Sequence, residues 1–246
     1  MRSFGRRIIL GCWFLLAGLS VQQSQGQGVE VSGKILMSAA LRSAGKKHKD
    51  APSLANVVVW LSPLKPGGVL PVTPAQQSPY RLVQKDKMFT PHLLVVPTGS
   101  QVEFPNRDPF FHNVFSLFNG KRFDLGLYES GTSRSVRFDR EGVSYIFCNI
   151  HPEMGAIVLA LNTPYYGISG ENGVIALHNV PPGSYRLNVW SENGQLVSPD
   201  MPVRIVQVST DPVHLGDITL RSTTDALAHH KNKFGEDYEP SREQKY

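Results

Sequence analysis

Apolar positions along this chain cluster in short runs and not at helical spacing. Val57-Val58-Val59-Trp60-Leu61, Leu93-Leu94-Val95-Val96, Gln101-Val102-Glu103-Phe104, Ser144-Tyr145-Ile146-Phe147, Ala156-Ile157-Val158-Leu159-Ala160 and Tyr185-Arg186-Leu187-Asn188-Val189-Trp190 are rich in β-branched and aromatic residues and bounded by Gly, Pro, Asn and Asp. Each predicts a strand. Beyond residue 26 no stretch carries a long helical period, so the pattern predicts an all-β chain built of packed sandwiches. Segments 34–56 and 63–80 are rich in Lys, Ser, Pro, Gly and Gln and predict loops, while the polar, charged residues 221–246 predict a flexible tail.

One apolar run differs from the rest. Residues 8–21 are predominantly apolar, follow Arg2, Arg6 and Arg7, and precede the small residues Ser24 and Gly26. That order predicts a signal peptide over residues 1–26, cleaved after Gly26. A membrane-spanning helix needs about 20 apolar residues, more than this run supplies. A lipid anchor at Cys12 would leave only Ile8, Ile9 and Leu10 as the apolar core, so the expected destination is the periplasm or the exterior, with no membrane span after cleavage.

Processing changes the charge and the cysteine count. The whole chain has a formal net charge of +5, but without Arg2, Arg6 and Arg7 it has 22 basic residues against 20 acidic ones. Nothing in that balance points to nucleic acid. Of two cysteines, Cys12 departs with the signal and Cys148 remains, so no internal disulfide can form.

Cys148 has metal-ligating neighbours. It opens Cys148-Asn149-Ile150-His151-Pro152-Glu153-Met154, and a second histidine stands upstream in Phe111-His112-Asn113-Val114-Phe115-Ser116. A thiolate, two imidazoles and a thioether form the ligand set that holds a mononuclear copper ion in electron-transfer sites. Strand alternation puts Ile146 and Cys148 on one face, with the thiol at a strand end and His151 and Met154 in the loop after it. His112 is expected from a different strand across the sandwich. Zinc competes for Cys and His, but a structural zinc site favours a closed set with more thiolates or histidines. His92, His178 and His214 stand singly among strand residues and are expected to be structural, while His48 and the pair His229-His230 are expected to be solvated.

Order and spacing resemble the cupredoxin family over residues 81–162, and the loop is most similar to that of amicyanin. Met88-Phe89-Thr90-Pro91, residues 96–104 and Asn106-Arg107-Asp108 resemble the strands and turn that precede the first ligand histidine in that family. The resemblance implies His112, Cys148 and His151 as equatorial copper ligands and Met154 as the weak axial one. Met154 runs directly into Gly155 and the next strand, a departure in this chain, and a shift of one residue would put a carbonyl, a water or Glu153 in the axial place. It also implies that Asn113 ties the two ligand loops together and steadies the thiolate. It further implies one copper ion cycling between Cu(I) and Cu(II), and an electron carrier with a redox protein partner. Phe110, Phe111 and Pro152, with Pro109, are the candidate docking patch, and Phe147 offers a second route.

The remaining strands carry a second resemblance. Residues 167–177 and 180–190, with the turn signals Glu171-Asn172-Gly173 and Pro182-Gly183, resemble the carboxypeptidase regulatory-like domain, a transthyretin-type β-sandwich. Residues 29–35 and 55–61 resemble its opening. The implied organisation is a discontinuous sandwich of residues 29–62 and 164–220, a linker at 63–80, and a copper domain at 81–162. Exported methylamine-utilisation-type proteins are similar. Two rival functions stay open: an envelope binding or structural protein, and a copper storage or delivery protein. No nucleophile motif or carboxylate pair in a catalytic context stands out, so an enzyme is not expected.

Overall fold

The computed structural model describes residues 28–38, 53–65, 79–117, 120–197, 204–223 and 230–238. Every regular element among them is a strand. In chain order these are β1 (Val29–Ser38), β2 (Val58–Pro63), β3 (Tyr80–Arg81), β4 (Val83–Lys85), β5 (Met88–Thr90), β6 (Leu93–Pro97), β7 (Ser100–Pro105), β8 (His112–Ser116) and β9 (Phe123–Tyr128). Next come β10 (Ser133–Phe138), β11 (Gly142–Cys148), β12 (Gly155–Leu161), β13 (Tyr166–Ile168), β14 (Val174–Val180), β15 (Gly183–Trp190), β16 (Gly194–Leu196), β17 (Ile205–Val208) and β18 (Val213–Ser222). The expected all-β class is what the chain adopts, and each of the six runs singled out above lies within or overlaps a strand.

Strands between Tyr80 and Leu161 form a five-stranded sheet, β6-β12-β11-β8-β9, a three-stranded sheet, β10-β7-β3, and the β4-β5 hairpin. They enclose a core that includes Leu82, Phe104, Val114, Phe138, Ile146, Cys148, Met154 and Val158. Strands from either side of that segment form two four-stranded sheets, β14-β1-β18-β16 and β13-β2-β15-β17. Val31, Ile35, Leu61, Ile175, Leu177 and Leu220 fill the space between them. Within the first of these, β1 pairs antiparallel with β14 and parallel with β18, so the early part of the chain is closed into a sheet by the late part. The Gly173 turn fits this close approach: at φ 70° it lies in the left-handed region, and a Cβ there would stand 2.5 Å from the Ile35 carbonyl oxygen.

The centre of the five-stranded sheet is buried on both faces. Along β12, Ala156, Val158 and Ala160 enter the core just described, while Ile157, Leu159 and Leu161 point the other way, into a cluster with Phe115, Phe147, Val58, Trp60 and Trp190. A strand with two apolar surroundings needs an unbroken apolar sequence, as β12 has, in place of alternation. The fully buried Val, Ile, Leu and Phe side chains each contribute roughly 1.5–3 kcal/mol by leaving water, which holds β12 firmly in place.

Three expectations need correction. Residues 34–38, expected in a loop, continue β1, because Lys34 to Ser38 pair with β18. Residues 221–222, expected in the tail, close β18. Residues 230–238 of the expected flexible tail pack on the five-stranded sheet, with the His230 ring stacked on Phe147, so His230 is not simply solvated. The signal segment, His48 and His229 lie outside the described residues. No helix among the described residues is long and apolar enough to cross a membrane.

Candidate metal centre

Cys148 is the last residue of β11, and Val114 of β8 is its partner across the sheet. Because side chains two apart share a face, His112 lies on the same side of the sheet as Val114, beside the thiol. His112 therefore comes from the adjoining strand of the same sheet, not from across the sandwich as expected. The connection after Cys148 closes on itself: Met154 N–H donates to the His151 carbonyl at 3.1 Å, and Cys148 N–H donates to the Met154 carbonyl at 3.3 Å. This tight turn carries His151 back over the sulfur.

Three donor atoms converge there. Cys148 Sγ lies 3.6 Å from His112 Nδ1 and 3.5 Å from His151 Nδ1, and the two Nδ1 atoms are 3.1 Å apart. Nitrogens about 2.0 Å and a sulfur about 2.3 Å from a central first-row ion in a trigonal plane would be separated by roughly 3.5–3.7 Å. The site is within a few tenths of an ångström of that size, so the residues fit a metal. His112 and Cys148 are fully buried and His151 is half-buried. Met154 is also fully buried, in the same core as Cys148, whereas Glu153 is exposed. The thioether therefore faces inward and the neighbouring carboxylate outward.

Electrostatics favour neutral imidazoles at the site. Burial depresses the pKa of both imidazoles, with Asp108 opposing the effect at His112, and this keeps their lone pairs free. Burial pushes the Cys148 thiol up, while the backbone N–H groups of Asn113, Ile150 and His151 favour the thiolate. A bound cation would tip that balance outright.

Asn113 links the two ligand loops through its backbone. Its carbonyl accepts from Asn149 N–H at 3.1 Å, and its side-chain amide donates to Asp124 at 2.7 Å. Phe110 roofs the site, its ring centroid 5.3 Å from that of His112 and 5.4 Å from that of His151. Phe111 is 55% exposed beside it, Pro152 is exposed, and Ile150, which the sequence reading left out, is 45% exposed. Phe147 points to the opposite face from Cys148, as alternation required.

Asp108 was not anticipated as a functional residue. Its carboxylate is almost fully buried and accepts a hydrogen bond from His112 Nε2 at 2.8 Å. The same carboxylate accepts from the N–H groups of Asp86 at 2.6 Å and Lys87 at 3.1 Å. Those two residues form the β4-β5 turn, with φ of 54° and 55°, which points successive N–H groups into one concavity. Although burial works to raise it, the bonds from His112, Lys87 and Asp86 hold the carboxyl below its ordinary range. An ionised partner on Nε2 fixes the tautomer that leaves Nδ1 for the metal. The four-residue separation from His112 is the signal available in sequence, though only the loop's folding gives it meaning.

Among the described residues, His92 pairs with Glu192, His178 with Glu30, and His214 with Ser32. No family model matches the sequence, and no curated protein does. Among solved structures, the chain is similar to a purple cupredoxin from Nitrosopumilus maritimus, 24% identical over 33% of this chain and 99% of that one, TM-score 0.31. It is also similar to the copper-containing nitrite reductase NirK from Thermus scotoductus SA-01, 24% identical over 41% of this chain and 27% of that one, TM-score 0.34. An amicyanin variant in the Cu(I) state is 19% identical over 33% of this chain and 80% of that one, TM-score 0.31. At these scores the likeness adds no argument to the side-chain geometry.

Proposed function

We propose that the chain binds one copper ion through Cys148, His112 and His151, with Met154 as a weak fourth ligand, and serves as an exported one-electron carrier. The convergence of Cys148 Sγ with two Nδ1 atoms, mutually 3.1–3.6 Å apart, carries this reading. Bound copper supplies a single-electron couple between Cu(I) and Cu(II). The protein's part is to hold the ligand frame still: Cys148 and His112 sit on paired, buried strands, and Asp108 locks the His112 ring. Four ligands leave no open position for substrate, which favours a carrier over an enzyme. Half-buried His151, between Phe110 and the exposed Phe111, Ile150 and Pro152, is the proposed point of exchange with a redox protein partner. The sheets around Val31 and Leu61 are proposed to be a separate discontinuous sandwich of transthyretin type, with the envelope as the site of action.

The test is to load the purified chain with cupric ion and follow its visible spectrum through reduction and reoxidation, alongside Cys148→Ser and Met154→Leu. An intense thiolate-to-copper band that bleaches reversibly, disappears in Cys148→Ser and persists with altered potential in Met154→Leu supports the carrier. A colourless protein refutes it. A coloured one that yields its copper to a mild chelator supports delivery instead.

A further inference from the structure

Residues 230–238 belong to a polar, charged stretch, yet they are seated on the metal-site sheet by several independent contacts. The His230 ring lies flat on Phe147, with centroids 4.0 Å apart and 11° between planes, and meets the Tyr238 ring edge-on at 5.2 Å. The Tyr238 hydroxyl donates to the Cys148 carbonyl at 2.9 Å. Lys233 N–H donates to Asn149 Oδ1 at 3.0 Å, and its ammonium pairs with Asp124 at 2.8 Å. Asp124 accepts in turn from the Asn113 side chain. Phe147, Cys148 and Asn149 are consecutive, and Asn113 follows His112. The contacts thus centre on the thiolate residue, its two neighbours in sequence and the network beside the first histidine.

The segment also shapes itself for docking. Asn232 Oδ1 accepts from the N–H groups of Phe234 at 2.9 Å and Glu236 at 3.0 Å, and Asn232 N–H donates to the Glu236 carbonyl at 2.9 Å. Gly235 N–H closes on the Asn232 carbonyl at 3.0 Å, with Gly235 at φ 81°. A loop held by its own bonds loses less conformational entropy when it binds the sheet.

We propose that residues 230–238 are a strap that positions the Cys148 end of β11 from outside the ligand loop, with His230, Lys233 and Tyr238 as positioning residues. Its contact with the sheet stands on the geometry alone; its consequence for copper rests on the metal-site reading above. By fixing the Phe147-Cys148-Asn149 backbone, the strap limits movement of the thiolate between oxidation states and slows the local opening that exposes the sulfur.

The test uses metal-free protein: the full chain, a chain ending at residue 229, Tyr238→Phe and Lys233→Ala. Cys148 is fully buried, so its alkylation by iodoacetamide reports local opening and is read on the peptide that carries it. Losing the strap's hydrogen bonds and ion pair should speed alkylation at least about tenfold in the truncated chain, and less in each substitution. Amide exchange in β1 and β18 should stay unchanged. The two substitutions keep the test decisive if the truncated chain does not fold. Copper-loaded samples add a second readout, a displaced thiolate-to-copper band when the strap is lost.

Equal alkylation in all four proteins overturns the strap, and so does faster alkylation matched by faster exchange in β1 and β18. If the full chain binds no copper while the strap variants alkylate faster, the metal reading falls and the strap stands.

Discussion

Replacing Asp108 by Asn should weaken copper binding while leaving all three strong ligands in place. The carboxylate takes three hydrogen bonds: Oδ2 accepts from His112 Nε2 and Lys87 N–H, and Oδ1 accepts from Asp86 N–H. Asparagine has one acceptor oxygen. Placed at the Oδ2 position it keeps two bonds, but its amide NH2 then faces the Asp86 N–H, and a buried donor left without a partner costs about 1–3 kcal/mol of apo-protein stability. The bond to His112 also changes from charge-assisted to neutral, which roughly halves its strength. Loss of such support beneath a metal-ligating histidine typically reduces affinity by about 10–100-fold, or about 1.4–2.8 kcal/mol. The lost negative charge favours the less charged ion, so the cuprous form gains relative to the cupric and the reduction potential rises. Competition against a chelator of known copper affinity, together with thermal melting of the apo-protein, separates the two effects. An Asp108→Asn protein that melts earlier yet binds copper as tightly as the parent would refute the reasoning and reduce Asp108 to a loop anchor.

Other consequences can be measured independently. Tyr128 is buried, donates to the Phe104 carbonyl at 3.0 Å and accepts from Gln84 Nε2, and burial holds its pKa well above the usual phenol value of 10.0. The unfolded chain therefore loses this proton first, and stability should fall as pH rises past about 10; denaturation midpoints at pH 8–11 should decline less steeply in Tyr128→Phe, and equal slopes would contradict the assignment. A Cβ on Gly167 would stand 2.5 Å from the Ala176 carbonyl oxygen. Gly167→Ala should thus cost about 1–3 kcal/mol in chemical denaturation, while the loaded protein keeps its copper stoichiometry. Removing the Phe110 ring with Phe110→Ala opens both imidazoles to water, and copper release to a chelator should accelerate; an unchanged rate would show that the roof is not protective.

Much of the site was legible because its chemistry is compressed into one loop. Cys148, His151 and Met154 fall within seven residues, and strand alternation fixed which way Cys148 and Phe147 point. His112 was identifiable by type and neighbours, but its placement depended on the β8-β11 pairing, a long-range register that alternation alone does not encode. Asp108 escaped notice because a carboxylate in an irregular loop has no periodicity to betray it. Its role emerges only when the β4-β5 turn and the loop before β8 come together. Residues 230–238 were misjudged for a related reason: a polar segment can dock through hydrogen bonds, a ring stack and one ion pair without an apolar pattern. The apolar run of β12 predicts a strand, but its burial on both faces depends on β2 and β15 covering the second one, a long-range packing that the run itself does not encode.

The coordination shell of the copper-loaded protein tests the central claim most directly. X-ray absorption at the copper edge should resolve one short sulfur neighbour and two imidazole nitrogens, with the sulfur lost in Cys148→Ser. A shell made only of nitrogen and oxygen, unchanged by that substitution, would place the metal elsewhere and contradict the account.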